Sequence, residues 1–379
     1  MNETASRTVS RRLAARARSS SAPRRARRLP GLLACASAAV ALAACGTGTG
    51  NGSPGAGTAN VTIGKAVDTI GFTTVDVAKG KGFFAKQGVQ VNEELLSGSS
   101  TAFAALQSGS VNFVTASSTA LLNAKAKGVP LEAVASLDYG VSLQLLVSDG
   151  WISSHGLSPG QPLNTVMKKL VGAKLGEIST TDLDYDHYLE KQAGVDPGKF
   201  TYIQLDSQSA ALAALKHGQI DAFLLSPPST YFAQSQGSGT IVASLHQVPE
   251  LANMAYDILV VDSDWAKSHA SEVSAVATAM AMADNAIKSN PQSVLDLEQK
   301  HYPKMSSSAL LDSLKYVTFT QDGLFTEDMW RKALAEFNAT EKNKGSGIDV
   351  TSSGGVWTNQ YIKKAGLSGG SAPSGGSSP

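Results

Sequence analysis

The sequence predicts an α/β protein of two lobes with a helical C-terminal portion. Three observations lead there: a body of roughly 300 residues between two low-complexity ends, strand and helix patterns alternating along it, and a restart of that alternation after a Gly/Pro-rich segment. At 379 residues the chain exceeds what one ordinary core organises, about 150 residues per folded unit being the usual scale. Apolar residues at 42% and charged residues at 17% suffice to bury a large core and are too apolar for a disordered chain.

The first element is a leader. An Arg-rich run ending at Arg28 precedes an uncharged apolar stretch, Leu29 to Ala44, the pattern of an export signal and too short to span a bilayer, which takes ~20 apolar residues. The stretch closes on Leu42-Ala43-Ala44-Cys45-Gly46, which resembles the lipobox of bacterial lipoproteins, in which the cysteine is acylated and becomes the new N-terminus. Residues 1–44 are therefore expected to be a lipoprotein signal peptide and Cys45 the lipidation site, a dual acyl anchor being stable where a single chain is not. Arg11-Arg12 leaves general and twin-arginine export both open. The other cysteine, Cys35, lies in the segment to be removed, so thiol nucleophiles, thiolate metal sites and disulfides are absent from the body. Nine of the 32 basic residues but one of the 31 acids precede residue 45. The remainder holds 23 basic and 30 acidic residues, a net of −7, which argues against nucleic acid as a partner.

Residues 45–59 form a Gly/Ser/Thr tether too polar to fold, and 368–379 a disordered tail of the same kind. After the tether, Val61 to Gly64 reads as a strand, Thr73-Thr74 as the opening of a helix running through Phe84, and Val89 to Glu93 as a strand. Ser97 to Ser100 opens a helix to Gln107. Strand Val111 to Thr115, helix Ser117 to Lys127, and strands Ala133 to Ser136 and Leu143 to Val147 follow. Beyond Gly156 to Pro162 the order repeats: strand Leu175 to Ile178, helix Asp182 to Ala193, strand Phe200 to Leu205, helix Ser209 to Lys216, strand Ile220 to Leu225 and a helix after Ser226-Pro227-Pro228. Strands Ile241 to Ser244 and Tyr256 to Val261 come next, and from Trp265 the pattern is helical. Helix, turning glycine and strand recur at Ala105 to Phe113 and Ala214 to Ala222. Lobe duplication and ordinary use of Gly at a helix end both account for that echo.

Val77 to Val91, with Gly82-Phe83-Phe84 and Gly88 before a hydrophobic strand, is similar to the opening of the nitrate/sulfonate/taurine and pyrimidine-precursor (SsuA/TauA-like) substrate-binding proteins of ABC transporters. Further matches run in order through Phe113, Lys127 to Leu131, Leu170 to Gly176, Ala214 to Pro228 and Ile287 to Pro291. The resemblance implies a type II periplasmic-binding-protein fold: lobe one from 60–146 and a helical second part 258–367, lobe two from 147–257, with crossings near Leu145–Val147 and Leu259–Val261. It implies a monomer that captures a small molecule and hands it to an ABC permease and its ATPase, with the membrane reached through Cys45 and neither catalytic group, metal nor cofactor required.

In open α/β sheets ligands bind beyond the carboxyl ends of strands. The candidate ligand residues are accordingly Phe72, Thr73, Ser99, Ser100, Ser117, Ser118, Asp138, Tyr139, Thr180, Thr181, Asp184 and Ser226. N-capping accounts for the hydroxyls equally well. Arg331 is the only arginine of the body, so a guanidinium fork on a sulfonate or carboxylate is not expected in the cleft. Asp68, Asp138, Asp182, Asp184, Asp186, Asp206 and Asp257 instead crowd cleft-facing positions, Asp138-Tyr139 suiting a cation or an amine-bearing ring. Asp76 departs from the apolar residue usual in the family at that point.

Two other classes stay in view. The resemblance extends to a eukaryotic pyrimidine synthase that uses histidine and cysteine with iron, but its cysteine cluster has no counterpart and the six histidines are scattered singly. A ligand-binding sensory lipoprotein would carry the same sequence features.

Overall fold

The computed structural model describes residues 59–339 and 345–362. The expected signal peptide, the expected lipidation site Cys45 and the expected tail 368–379 lie outside the described residues. Ten strands, β1 (Ala59–Lys65), β2 (Val89–Leu95), β3 (Phe113–Ser117), β4 (Leu131–Ser136), β5 (Gln144–Val147), β6 (Lys174–Glu177), β7 (Thr201–Gln204), β8 (Ala222–Leu225), β9 (Thr240–Ser244) and β10 (Asp257–Asp262), are separated by helices nearly throughout. β1 begins at Ala59, the last residue assigned to the tether. The third strand begins two residues later than its sequence pattern because Asn112 leaves the sheet: its side-chain oxygen accepts from Thr62 N–H at 2.8 Å in place of a backbone carbonyl.

The strands form two five-stranded sheets, ordered β2-β1-β3-β10-β4 and β7-β6-β8-β5-β9. In each, the first three strands are parallel and the fourth is antiparallel to both neighbours. The two sheets are thus the same motif twice, each borrowing its antiparallel strand from the far side of a crossing. The echo noted in the sequence falls on matching places: helix Ser99–Ser108 feeds β3, and helix Gln208–Lys216 feeds β8. Gly64 in β1 and Gly176 in β6 match as well. A Cβ would meet a side-chain methyl of Leu96 at 2.6 Å in one and of Ile220 at 2.5 Å in the other, so in both lobes an apolar side chain packs directly onto the strand at its glycine.

The crossings lie earlier than the sequence reading placed them. Leu145–Val147 and Leu259–Val261 are interior parts of β5 and β10, and residues 137–143 and 245–256 make the passages. These runs are apolar because they are buried on both faces, the usual state of a strand inside a helix-covered sheet.

Helix Ala270–Ser289 carries much of lobe one: Val273, Val276, Met280 and Ile287 are fully buried against it. Each such side chain contributes on the order of 1.5–3 kcal/mol. Asp284 on the same helix takes a hydrogen bond from Thr74 of helix Thr74–Gly80. The C-terminal helices do not all rest on lobe one. Helix Ser307–Tyr316 packs on helix Ser229–Ser235 of lobe two, with Tyr316 edge-on to Tyr231 at 6.3 Å and to His246 at 4.5 Å, and its hydroxyl donates to Leu143 O. Among the described residues no helix is long and apolar enough to cross a membrane.

Candidate functional site: a cleft between the two sheets

The carboxyl ends of β1 and β3 face those of β6 and β8, and the two halves touch. Thr69 Oγ1 and Ile70 N–H both donate to Pro227 O at 2.9 Å, Ser117 Oγ meets Thr181 Oγ1 at 3.0 Å, and Asn123 Nδ2 donates to Asp184 Oδ2 at 3.3 Å. The cleft is therefore closed. Behind these contacts lies an inner cavity of about 50 Å³, lined by Thr69, Phe72, Ser99, Ser117, Ser179, Thr181, Asp182, Gln208, Ser226, Tyr256 and Asp257 with several apolar neighbours. Ala66, Val67, Ile178 and Gln208 are shared with an outer chamber of about 460 Å³, whose rim includes Asp68, Asp206, Phe232, His301 and Tyr302. Inner cavity and outer chamber are the floor and mouth of one cleft.

Of the residues expected from sequence, Phe72, Ser99, Ser117, Thr181 and Ser226 come together on the cavity wall. Ser117 also caps its helix, accepting from Ala120 N–H, so capping and facing the cavity are compatible. Ser226 Oγ shares a 2.8 Å bond with Ser142 Oγ. The structure places the others elsewhere. Ser118 is fully buried and donates to Ala255 O at 2.6 Å, tying helix Ser118–Lys125 to a crossing segment. Thr73 is buried at the start of helix Thr74–Gly80, Ser100 and Thr180 are exposed on helix starts, and Asp184 makes the contact to Asn123 described above. Tyr139 lies under Lys288, whose Nζ sits 5.4 Å from the ring centre, so the face expected to meet a ligand cation meets a side chain of the protein instead. Asp138 is completely buried behind Asp257, its Oδ1 accepting the Asp257 N–H at 2.8 Å.

The cavity's electrostatics come from acids. Asp257 is 3% exposed, and its carboxyl pairs with that of Asp138 through a side-chain hydrogen bond. Burial pushes its carboxyl up to about 7, and burial together with the Asp257 charge pushes Asp138 well above the ordinary range. Across the cleft, Asp182 occupies the third position of helix Thr180–Ala193. Its Oδ2 accepts from Ile178 N–H and Ser179 N–H at 3.0 Å, and Ser179 Oγ in turn accepts from Asp182 N–H, a reciprocal cap. Burial raises Asp182 to about 7 against the pull of those amides. Behind it Glu177 and Asp186 are buried side by side, and burial raises both, Asp186 to about 6. At the rim, Asp68 accepts from His301 at 3.0 Å and from Tyr302 at 2.8 Å. The Asp68 bond holds the His301 imidazole above its usual range.

Thr69, Gln208 and Tyr256 were not foreseen. Thr69 follows the first strand and was within reach of the strand-end rule, whereas Gln208 and Tyr256 carry no local signal and reach the cavity only by the folding of both lobes. Asp76 is explained: it pairs with Lys65 at 2.9 Å, a lysine 6% exposed that Glu93 flanks at 3.9 Å. Among the described residues no group of three or more His, Cys, Asp or Glu is arranged to hold a metal ion.

A paired five-stranded fold with a ligand-sized cleft at the strand ends is the two-lobed periplasmic-binding-protein architecture. The chain matches the model of the NMT1/THI5-like family over residues 69–294, more than half its length, and belongs to that family. Solved structures share the fold. A protein of Bordetella bronchiseptica RB50 is 22% identical with a TM-score of 0.68, covering 80% of this chain and 95% of that one. The nitrate-binding protein NrtA of Synechocystis PCC 6803 is 15% identical with a TM-score of 0.65, covering 80% and 87%. The alkanesulfonate-binding protein SsuA of Xanthomonas axonopodis pv. citri, bound to MOPS, is 15% identical with a TM-score of 0.61, covering 80% and 98%. No curated protein matches.

Proposed function

We propose that the protein is an extracytoplasmic solute-binding lipoprotein that captures a small molecule between its lobes and delivers it to an ABC importer. The observation that carries this reading is the cleft itself: strand ends from both sheets line one cavity and bond to each other across it. A ligand that contacts both walls stabilises the closed state by those differential contacts, and a permease that distinguishes closed from open reads occupancy. Phe72, Ser99, Ser117, Thr181 and Ser226 are the ligand-facing residues in this scheme. Membership of the family and a fold shared with nitrate- and alkanesulfonate-binding proteins support it. Binding and release need no bond-making group, so the role is not enzymatic.

The chain divides, in this proposal, into a signal peptide 1–44, a tether 45–59 carrying the lipid on Cys45, the two lobes, and a tail 368–379. It acts as a monomer on the outer face of the cytoplasmic membrane. Deleting the protein should abolish uptake of one solute, and Cys45→Ser should move it from the membrane to the soluble fraction. Unchanged uptake of every solute tested would refute the transport role, and unchanged membrane association would refute the anchor.

A further inference from the structure

The binding reading leaves the kind of solute open, and the outer chamber bears on it. The inner cavity, at about 50 Å³, has room for the end group of a molecule, whereas the chamber beyond it holds about 460 Å³, within the roughly 300–1,000 Å³ of pockets that take whole organic molecules. Both lobes line the chamber with carbon. Val67, Leu95 and Leu96 come from the first, and Ile178, Leu212 and Phe232 from the second. Leu95 is 61% exposed, and among the described residues Val171 is the one other large apolar side chain left so open to water. Leu95 is no isolated surface leucine, since half-buried Leu96, Leu212 and Phe232 line the same space. The chamber's polar groups are largely committed to one another. Asp68 accepts from His301 and Tyr302, Gln208 Oε1 accepts from Ser229 Oγ, and Ser207 Oγ accepts from Ala210 N–H at 3.2 Å. Asp206 and Lys304, both exposed on its lining, carry opposite charges, so the chamber favours neither sign.

We infer that the solute is an organic molecule with an uncharged, largely apolar ring body, which fills the outer chamber between Leu95 and Leu96 of one lobe and Leu212 and Phe232 of the other, while a small polar end enters the inner cavity. This rests on the solute-binding reading and adds the kind of solute. A nitrate-sized solute would leave the chamber, and Leu95 with it, to water. A ring suits this lining because Phe232 and Tyr302 present aromatic carbon and Pro228 and Pro303 present rigid apolar faces. Such a body covers apolar surface on both lobes at once only when they are closed, and that differential burial shifts the equilibrium toward closure.

The test is fluorescence titration of the purified full-length chain with N-phenylnaphthylamine, an uncharged ring compound that brightens when it leaves water, alongside calorimetric titration with nitrate, methanesulfonate and taurine. The ring compound is expected to bind one to one and more tightly than any of the three small charged solutes. Leu95→Asn and Leu212→Asn should each weaken its binding about fivefold or more, the scale of losing half of one buried leucine contact. Leu95 is exposed, so its substitution spares the fold and the thermal transition should be retained. Val171→Asn, the matching change at an exposed apolar residue that lines neither cavity, should leave binding unchanged. Ring binding indifferent to both leucine substitutions, or weakened equally by Val171→Asn, would overturn the placement. One-to-one binding of nitrate, methanesulfonate or taurine tighter than that of the ring compound would overturn the apolar assignment while leaving solute capture intact. Failure of all four to bind would overturn the inference, with the uptake assay deciding the transport role separately.

Discussion

Gly71→Ala tests the geometry of the cleft floor with a single methyl group. Gly71 lies between Ile70 and Phe72 in a short helical turn under the cavity. A Cβ there would sit 1.9 Å from Asp257 Oδ2 and 3.5 Å from Asp138 Oδ2, so the Asp257 carboxylate must retreat by more than an ångström. It has little room to do so, because Asp257 is 3% exposed and its backbone N–H is held by Asp138. Two effects compete. Replacing Gly by Ala lowers the entropy of the unfolded chain and stabilises by about 0.4–1 kcal/mol where the backbone permits. Overpacking a filled interior costs typically about 1–3 kcal/mol, and a contact this short belongs at the upper end. The clash wins, and a net loss of about 2 kcal/mol corresponds to roughly 3 °C in the melting temperature of a body of this size. Scanning calorimetry of Gly71→Ala reads that loss. In an Asp257→Ala background the offending oxygen is gone, so adding Gly71→Ala should then be neutral or stabilising, a coupling a double-mutant cycle isolates. A Gly71→Ala protein as stable as the parent, or one whose loss persists without the Asp257 side chain, would refute the placement of this carboxylate.

Lys65→Met removes one partner of a nearly buried ion pair and leaves Asp76 beside Glu93 with only His301, 3.7 Å away, as a cation, which should cost up to about 3–5 kcal/mol by denaturant titration. Ser118→Ala and Ser117→Ala should separate in their effects. The first loses a buried bond to Ala255 and should lower stability by about 1–3 kcal/mol with affinity unchanged, whereas the second, on the cavity wall, should also weaken ligand binding. Stability should fall as pH rises. Burial raises Asp186 to about 6, Asp182 and Asp257 to about 7 and Glu336 to about 8, so these groups favour the fold fully below their unfolded values near 4 and lose that contribution as pH climbs through 6 to 8. Glu336→Gln should flatten the upper part of the melting temperature against pH and leave the part below about pH 5 unchanged, since the amide has no proton to lose.

Much of the fold was legible because its signals are local. Alternating apolar strands, hydroxyl caps and glycine helix ends mark most of the ten strands within a few residues, and of the hydroxyls the strand-end rule picks out, Ser99, Ser117, Thr181 and Ser226 line the cavity, as does Phe72, singled out for its ring. Where the reading missed, longer-range physics decided. Both β5 and β10 were legible as strands, but nothing in an apolar run marks where the chain leaves one sheet for the other, so the crossings were placed on the strands rather than in the segments before them. Ser118 is indistinguishable from Ser117 until the helix is built and one hydroxyl turns inward to Ala255. Tyr139 meets Lys288 from 149 residues away, a pairing no local pattern announces.

The helix at Ser307–Tyr316 rests on lobe two while helix Glu327–Phe337, which follows it, reaches lobe one through Glu336 and Thr119. The return segment, residues 317–326, runs antiparallel to the first crossing: Tyr139 N–H donates to Thr318 O at 3.1 Å and Thr320 N–H to Leu137 O at 3.0 Å. The passage between the lobes is there two backbones thick, so whatever bends it must carry both chains together.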